Sequence, residues 1–295
     1  VMKTGVNQGV PITYYNLFAN GAPVINPIKN PNSASDYTIM AFPSLMKKKR
    51  VQSVERLLDM ALGAKEKSDD LQSVAMLHNL LGLAKSNAGN AEEALFNFNK
   101  ALEIDPNHRT AAYNAGNLMH KLGDHQGAIK YHTQSIQIDP KYANAYEGRG
   151  NAKDDFGDTQ GAISDYNKAI EINPQHPRFY FNRGIAKSRS RDYQGAIADF
   201  TKSIELDPQH SLSYYDRGNA KRELEDYQGA ITDYSKAIAI NPKYADAYNN
   251  RGLAKQALGD NQGACVDVKK AASLGNQITA QYLNSEGGAW CRNMR

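Results

Sequence analysis

Apolar and small residues along this chain fall in phase, and from Ala75 to Ile278 the phase repeats every 34 residues. Glycine recurs at Gly82, Gly116, Gly150, Gly184, Gly218 and Gly252, and proline at Pro106, Pro140, Pro174, Pro208 and Pro242. Small residues keep the same step at Ala94, Ala128, Ala162, Ala196, Ala230 and Ala264, and again at Ala101, Ser135, Ala169, Ser203, Ala237 and Ala271. The pattern predicts two short helices per block, with small side chains where paired backbones come closest. A block of this size cannot bury its apolar stripe alone, so stacked neighbours must supply the core.

The grammar inside a block is regular. The first helix carries Tyr and Gly markers, as in Asp246 to Leu258, and a Gly-Asp turn follows at Gly123, Gly157 and Gly259. Glycine suits the left-handed conformation there, and Asp124, Asp158, Asp192, Asp226 and Asp260 are placed to cap the second helix. That helix, as in Gly229 to Ile240, stops before the proline-containing turn. Its last apolar residue, such as Ile172 or Leu206, is expected to bury against the next block.

A 34-residue unit with Tyr146, Gly150, Ala162, Tyr166, Ala169 and Pro174 at its marker positions resembles the tetratricopeptide repeat. The stretches A-D-A-Y-N-N-R-G-L-A-K (Ala245 to Lys255) and D-Y-Q-G-A-I-T-D-Y (Asp226 to Tyr234) are similar to repeats abundant in bacteria, cyanobacteria among them. The resemblance covers six units, 75–108, 109–142, 143–176, 177–210, 211–244 and 245–278. It implies an all-α, right-handed superhelical solenoid of antiparallel helix pairs that binds peptides or protein surfaces on its concave side. It further implies that the groove is lined by set positions of the first helices. Mapped onto this chain, these give the amides Asn114, Asn117, Asn144, Asn151, Asn182, Asn219, Asn249 and Asn250 and the rings of Tyr113, Phe181 and Tyr215. Charges of both signs join them, with Arg178, Arg189 and Arg222 against Glu147, Asp154, Asp155, Asp216 and Asp246.

A carboxamide offers donors and an acceptor together, so a row of asparagines can hold an extended peptide by its backbone while rings cover apolar side chains. The expected ligand-binding residues are therefore Tyr113, Asn114, Asn117, Asn151, Arg178, Phe181, Asn182, Tyr215, Asn219, Arg222, Asn249 and Asn250. Asparagine is also an ordinary residue on exposed helix faces, so the argument rests on the row rather than on any one member. The repeats that clamp the terminal carboxylate of chaperone tails use Lys and Asn, then Asn, then Lys and Arg. The nearest register here is Tyr113 with Asn117, Gly148, and Arg178 with Asn182, so that clamp is not expected.

Comparing units within the chain exposes a second pattern. Units three to six each carry Arg followed four residues later by Lys (Arg149 and Lys153, Arg183 and Lys187, Arg217 and Lys221, Arg251 and Lys255). The same units carry an acid on the second helix: Asp165, Asp199, Asp233 and Asp267. The first two units lack both, having Leu81 with Asn97 and Ala115 with Tyr131. A structural ladder, within the helix pair or across the seam, accounts for this joint gain and loss better than a basic stripe for an acidic ligand.

The flanks break the period. Residues 1–43, with Pro23, Pro27 and Pro31 four apart, read as a mobile arm carrying one apolar patch around Tyr14, Tyr15, Leu17 and Phe18. Residues 44–74 read as the leading helix of a degenerate unit or cap, beginning near Ser44. At the other end Asn276 stands where the next proline is due, and 279–295 read as a capping helix and a loose tail.

A formal charge of +4 with both signs interspersed does not demand a polyanion, although Lys47 to Arg50 and the Arg and Lys rows keep nucleic acid as a minor reading. No apolar run approaches the ~20 residues needed to cross a bilayer, and no charged-then-apolar leader is evident. Cys265 and Cys291 make no metal or redox spacing. Cys265 takes the phase of Ile129, Ile163, Ile197 and Ile231 and reads as a buried apolar side chain in a reducing, cytoplasmic compartment. His120 and His125 straddle a turn, and neither a cysteine pair nor a further histidine completes a ligand set. No phosphate loop, serine elbow or isolated carboxylate pair is present, so no catalysis, metal or cofactor is expected. The leading expectation is a non-catalytic adaptor or scaffold holding a protein or peptide partner. The alternative is the recognition arm of a larger enzyme such as a transferase, since the chain opens on Val1 and leaves room for further sequence.

Overall fold

The computed structural model of this protein describes residues 71–292, together with Arg56 and Met60. The expected arm, the start of the helix near Ser44 and the Lys47 to Arg50 cluster lie outside the described residues. All regular structure within them is helical. In chain order it comprises α1 (Leu71–Ala88), α2 (Ala91–Ile104), α3 (Arg109–Lys121), α4 (His125–Ile138), α5 (Ala143–Phe156), α6 (Thr159–Ile172) and α7 (Pro177–Arg189). It continues with α8 (Tyr193–Leu206), α9 (Ser211–Glu223), α10 (Tyr227–Ile240), α11 (Ala245–Ala257), α12 (Asn261–Ser273), α13 (Gln277–Asn284) and α14 (Ala289–Arg292).

The turns set these boundaries. Asp124, Asp158, Asp192, Asp226 and Asp260 each accept a hydrogen bond from the backbone N–H of the glycine three residues on, at 2.8–2.9 Å, which satisfies one orphan donor of each second helix. Ahead of the cap the chain must pass through left-handed space, and Gly123, Gly157 and Gly259 do so at φ 81°, 96° and 84°. In the other two turns Arg191 and Glu225 hold the same conformation at φ 64° and 62°, at a cost of roughly 1–2 kcal/mol each for having a Cβ there.

Consecutive helices pack as hairpins, and each second helix also packs on the first helix of the next pair. First helices additionally touch first helices of neighbouring pairs, α1 to α3, α3 to α5, α5 to α7, α7 to α9 and α9 to α11. The first helices therefore form the tighter, inner layer of a curved stack. Packing within a pair relies on a ring from the second helix lying against a glycine of the first. A Cβ at Gly150 would meet Tyr166 Cε1 at 2.7 Å, and one at Gly218 would meet Tyr234 Cε1 at 2.7 Å. Phe98, Tyr166, Phe200 and Tyr234 are buried in this way, each worth about 1.5–3 kcal/mol of apolar burial.

The carboxyl end departs from expectation. Residues 284–292 are not a loose tail. A 3-10 turn at Glu286–Gly288 leads into α14, Trp290 Nε1 donates to the Tyr282 hydroxyl at 3.0 Å, and Cys291 is fully buried. Cys291 forms a disulfide with Cys265 on α12, with their Cα atoms 5.2 Å apart. Cys265 is thus buried as its phase predicts, but it is a cross-link rather than a passive apolar side chain. Spacing could not show this, because 26 residues separate the two and α13 must fold back to bring them together.

Candidate functional site: the inner face of the solenoid

Four arginines lie on successive inner-layer helices, and none is an open basic stripe. Nε and Nη2 of Arg149, Arg183, Arg217 and Arg251 bind both carboxylate oxygens of Asp165, Asp199, Asp233 and Asp267 at 2.5–2.9 Å. Lys153, Lys187, Lys221 and Lys255 join the same carboxylates at 2.7–2.8 Å. The remaining Nη1 of each Arg crosses the seam to Thr133, Asn167, Thr201 or Ser235 on the preceding second helix. Each guanidinium also lies 5.4–5.7 Å from the ring of the tyrosine three residues earlier, within cation–π range. The ladder is therefore both intra-pair and trans-seam.

The amide row is wired together as well. Asn182 Nδ2 donates to Glu147 Oε1 at 3.0 Å and to Asn151 Oδ1 at 3.2 Å, and Tyr166 OH donates to the same Asn151 oxygen at 2.8 Å. Two units on the arrangement recurs: Asn250 Nδ2 and Tyr234 OH both donate to Asn219 Oδ1 at 2.9 Å. Burial holds the phenols of Tyr166 and Tyr234 far above their ordinary range, so they remain donors. Asn250 also bonds Tyr215 OH, Asn249 donates to Asn250 and accepts from Thr279, and Asn114 donates to Asn79 Oδ1. Arg178 forks onto the buried Glu147, and Arg222 pairs with Glu223.

The three rings expected in the groove are half-buried packing elements. Tyr113 packs on His132 and Tyr142, Phe181 on Phe200 and His210, and Tyr215 on Tyr234 and Tyr244, with centroids 4.7–5.9 Å apart. What the network leaves over is specific. Asn117 is exposed with no side-chain hydrogen bond, and both N–H groups of Asn151 are unused among the described residues. Asp216 has no salt bridge among them; its one partner is Asn219 Nδ2 at 3.2 Å. Burial pushes its carboxyl up to about 6, partly offset by that hydrogen bond. Asp216 takes the phase of Asn182 and Asn250, but the preceding unit offers Ile185 where they meet Asn151 and Asn219.

One buried polar group escaped the sequence reading. His132 takes the phase of Tyr166, is fully buried between Gly116 and Gly148, and has no hydrogen bond at either ring nitrogen among the described residues. Burial lowers it to about 3, so the imidazole is neutral. Its signal was available: it is the one basic residue in a series otherwise made of Phe98, Tyr166, Phe200, Tyr234 and Val268.

Comparison with known proteins agrees with this architecture. A TPR repeat family matches residues 155–189 and 218–259, and two tetratricopeptide repeat families match 72–141 and 177–210. No curated protein matches the sequence. Among solved structures, a tetratricopeptide repeat protein from Parabacteroides merdae is 22% identical with a TM-score of 0.62, covering 89% of this chain and 100% of its own. MamA is 26% identical with a TM-score of 0.52, covering 57% of this chain and 97% of its own. YrrB, a TPR protein with an unusual peptide-binding site, is 18% identical with a TM-score of 0.54 over 63% of this chain and 97% of its own, a likeness of fold. With these families together matching more than half its length and the helix pairs stacked as described, the chain belongs to the tetratricopeptide repeat family.

Proposed function

We propose that this protein is an interaction scaffold that holds a protein or peptide segment along its inner face and favours a segment bearing a basic side chain. Asp216 carries the reading. It is a half-buried carboxylate in the inner layer with no cation of its own, whereas Glu147, Asp154, Asp165, Asp199, Asp233 and Asp267 are each paired. A lysine or arginine from a ligand would supply the missing counter-charge and lower the cost of keeping this carboxylate desolvated. The spare N–H groups of Asn151 and Asn117 are the donors available to a ligand's backbone carbonyls. Arg178, Asn182 and Asn250 serve first to tie neighbouring units together, and Arg222 is engaged with Glu223. YrrB is a fold-level precedent for a peptide site on such a solenoid.

Among the described residues no helix is long and apolar enough to cross a membrane. The Cys265–Cys291 bond is of a kind that persists in oxidising compartments, which weighs against the cytoplasmic expectation.

The test is selection of a random peptide library on the full chain, followed by affinity measurements with Asp216→Asn, Asn151→Ala and Asn117→Ala. Selected peptides are expected to be enriched in Lys or Arg, and Asp216→Asn to weaken them about tenfold or more, as for loss of a partly desolvated charge pair. Peptides without basic residues, or affinity unchanged in all three variants, would place binding elsewhere.

A further inference from the structure

The turn between α3 and α4 carries a second polar cluster that the repeat does not explain. His120 stands in the last turn of α3, His125 opens α4, and Asp155 stands in the last turn of α5. One ligand atom from each lies within 4.8 Å of the others. We propose that His120, His125 and Asp155 form a binding site for a divalent transition-metal ion of the zinc type, clamping the second helix pair to the third.

Geometry and chemistry support the assignment together. His120 Nε2 already meets Asp155 Oδ2 at 2.9 Å, and the two imidazoles sit edge-on with centroids 5.5 Å apart. Tetrahedral ligand atoms about 2.0–2.1 Å from one zinc ion stand roughly 3.3 Å apart, so the ion enters as this hydrogen bond opens slightly and the donors that now stand up to 4.8 Å apart close inward by side-chain rotation. Nδ1 of His125 is buried with no hydrogen-bond partner among the described residues. The linking turn is stiff: Gly123 holds a left-handed φ of 81°, its N–H bonds the His120 carbonyl at 3.0 Å, and Asp124 caps α4. The two histidines are thus held by a fixed piece of backbone. Arg189 Nη1 lies 3.7 Å from Asp155 Oδ1, the oxygen turned away from His120, while its main partner is Asp154. It stands as an outer partner orienting the carboxylate, leaving Oδ2 for the metal.

Two imidazoles and one carboxylate suit zinc, cobalt, nickel or copper better than magnesium or calcium, and water would fill the fourth position because His120 and Asp155 are partly exposed. The cluster also interrupts the period. The corresponding trios at the other seams are Ser86, Ala91 and Lys121; Asp154, Thr159 and Arg189; Ser188, Tyr193 and Glu223; and Arg222, Tyr227 and Ala257. None offers three ligands. The first seam with a full Arg–Asp rung on its far side is the one that carries the histidines.

The experiment uses the untagged full chain, stripped with chelator and titrated with Co2+ and Zn2+, alongside His125→Gln and Asp155→Asn and the control His176→Gln. Calorimetry is expected to show one ion per chain, and the cobalt form to show the intense visible bands of a four-coordinate site. Zinc should raise the melting temperature of the wild type and the control alone. Each site variant should weaken binding about tenfold or more, while circular dichroism of the apo forms remains unchanged. Absence of saturable binding, or binding that both site variants retain at wild-type strength, would overturn the assignment.

Discussion

Removing one rung of the Arg–Asp ladder tests whether the inner layer is held by charge pairing or by packing. Asp233 is the sharpest target: its side chain is 3% exposed and receives Arg217 at both oxygens and Lys221 at 2.7 Å. Asp233→Ala leaves two cations without their acceptor, and breaking a buried pair from one side costs about 3–5 kcal/mol. Arg217 and Lys221 are 16% and 21% exposed, so both can turn partly to water, which places the expected loss at the low end, about 3 kcal/mol. The double variant Arg217→Met, Asp233→Leu removes the burial cost along with the attraction and is expected to lie within about 1 kcal/mol of the wild type. The chain supplies its own precedent, since the first two units fill the same places with Leu81 and Asn97 and with Ala115 and Tyr131. Repeat arrays unfold unit by unit, so hydrogen exchange of α9 and α10 is the assay, combined as a double-mutant cycle. A cost below about 1 kcal/mol for Asp233→Ala, or a double variant as unstable as the sum of the singles, would refute the reasoning.

Three further outcomes are expected. His132 is depressed to about 3 from 6.5, so the native state resists protonation; its own contribution should fall by about 1.4 kcal/mol per pH unit as pH drops from 6.5 to 3, read as the difference between wild type and His132→Phe in urea melts run across the range. Asp216 has the opposite sign, because its carboxyl is raised from 3.8 to about 6: its contribution falls as pH rises through that window, and Asp216→Asn should stabilise the protein at pH 7 by roughly 2–3 kcal/mol. Reduction of Cys265–Cys291, whose partners are 26 residues apart, should cost about 3–4 kcal/mol by the chain-entropy estimate, read as faster hydrogen exchange in α12 to α14 with α3 to α10 unaffected.

Much of the fold was legible because its determinants are local and repeated. The capping aspartates, the left-handed glycines and the Arg, Lys and Asp trio recur at fixed offsets, so each could be read several times. The amide network was legible too, through a signal left unused. Tyr166 pairs with Asn151 and Tyr234 with Asn219, while Phe98, Phe200 and Val268 face Leu83, Ile185 and Leu253 at the same offset. A hydroxyl appears only where an amide can receive it, although the sixth pair, His132 with Asn117, has the amide without the hydroxyl. That co-variation marks several asparagines as structural before any coordinates are seen. Features that occur once were not legible. The bond between Cys265 and Cys291 depends on how α13 folds back, and the approach of Asp155 to His120 crosses a seam whose pitch no spacing reveals.

The arginine that crosses each seam has a mechanical consequence. Its free nitrogen reaches backwards to the preceding helix pair, so from Thr133 to Asp267 every joint is riveted by the same three-way link. The joint between the first two pairs lacks that rivet, with Ala115 standing where the arginine would be. Among the described residues the first joint is crossed instead by the lighter links Asn114 to Asn79 and Tyr131 to Asn99, so the style of fastening along the curved stack changes beside His120 and His125, where a captured ion would reinforce the first riveted joint.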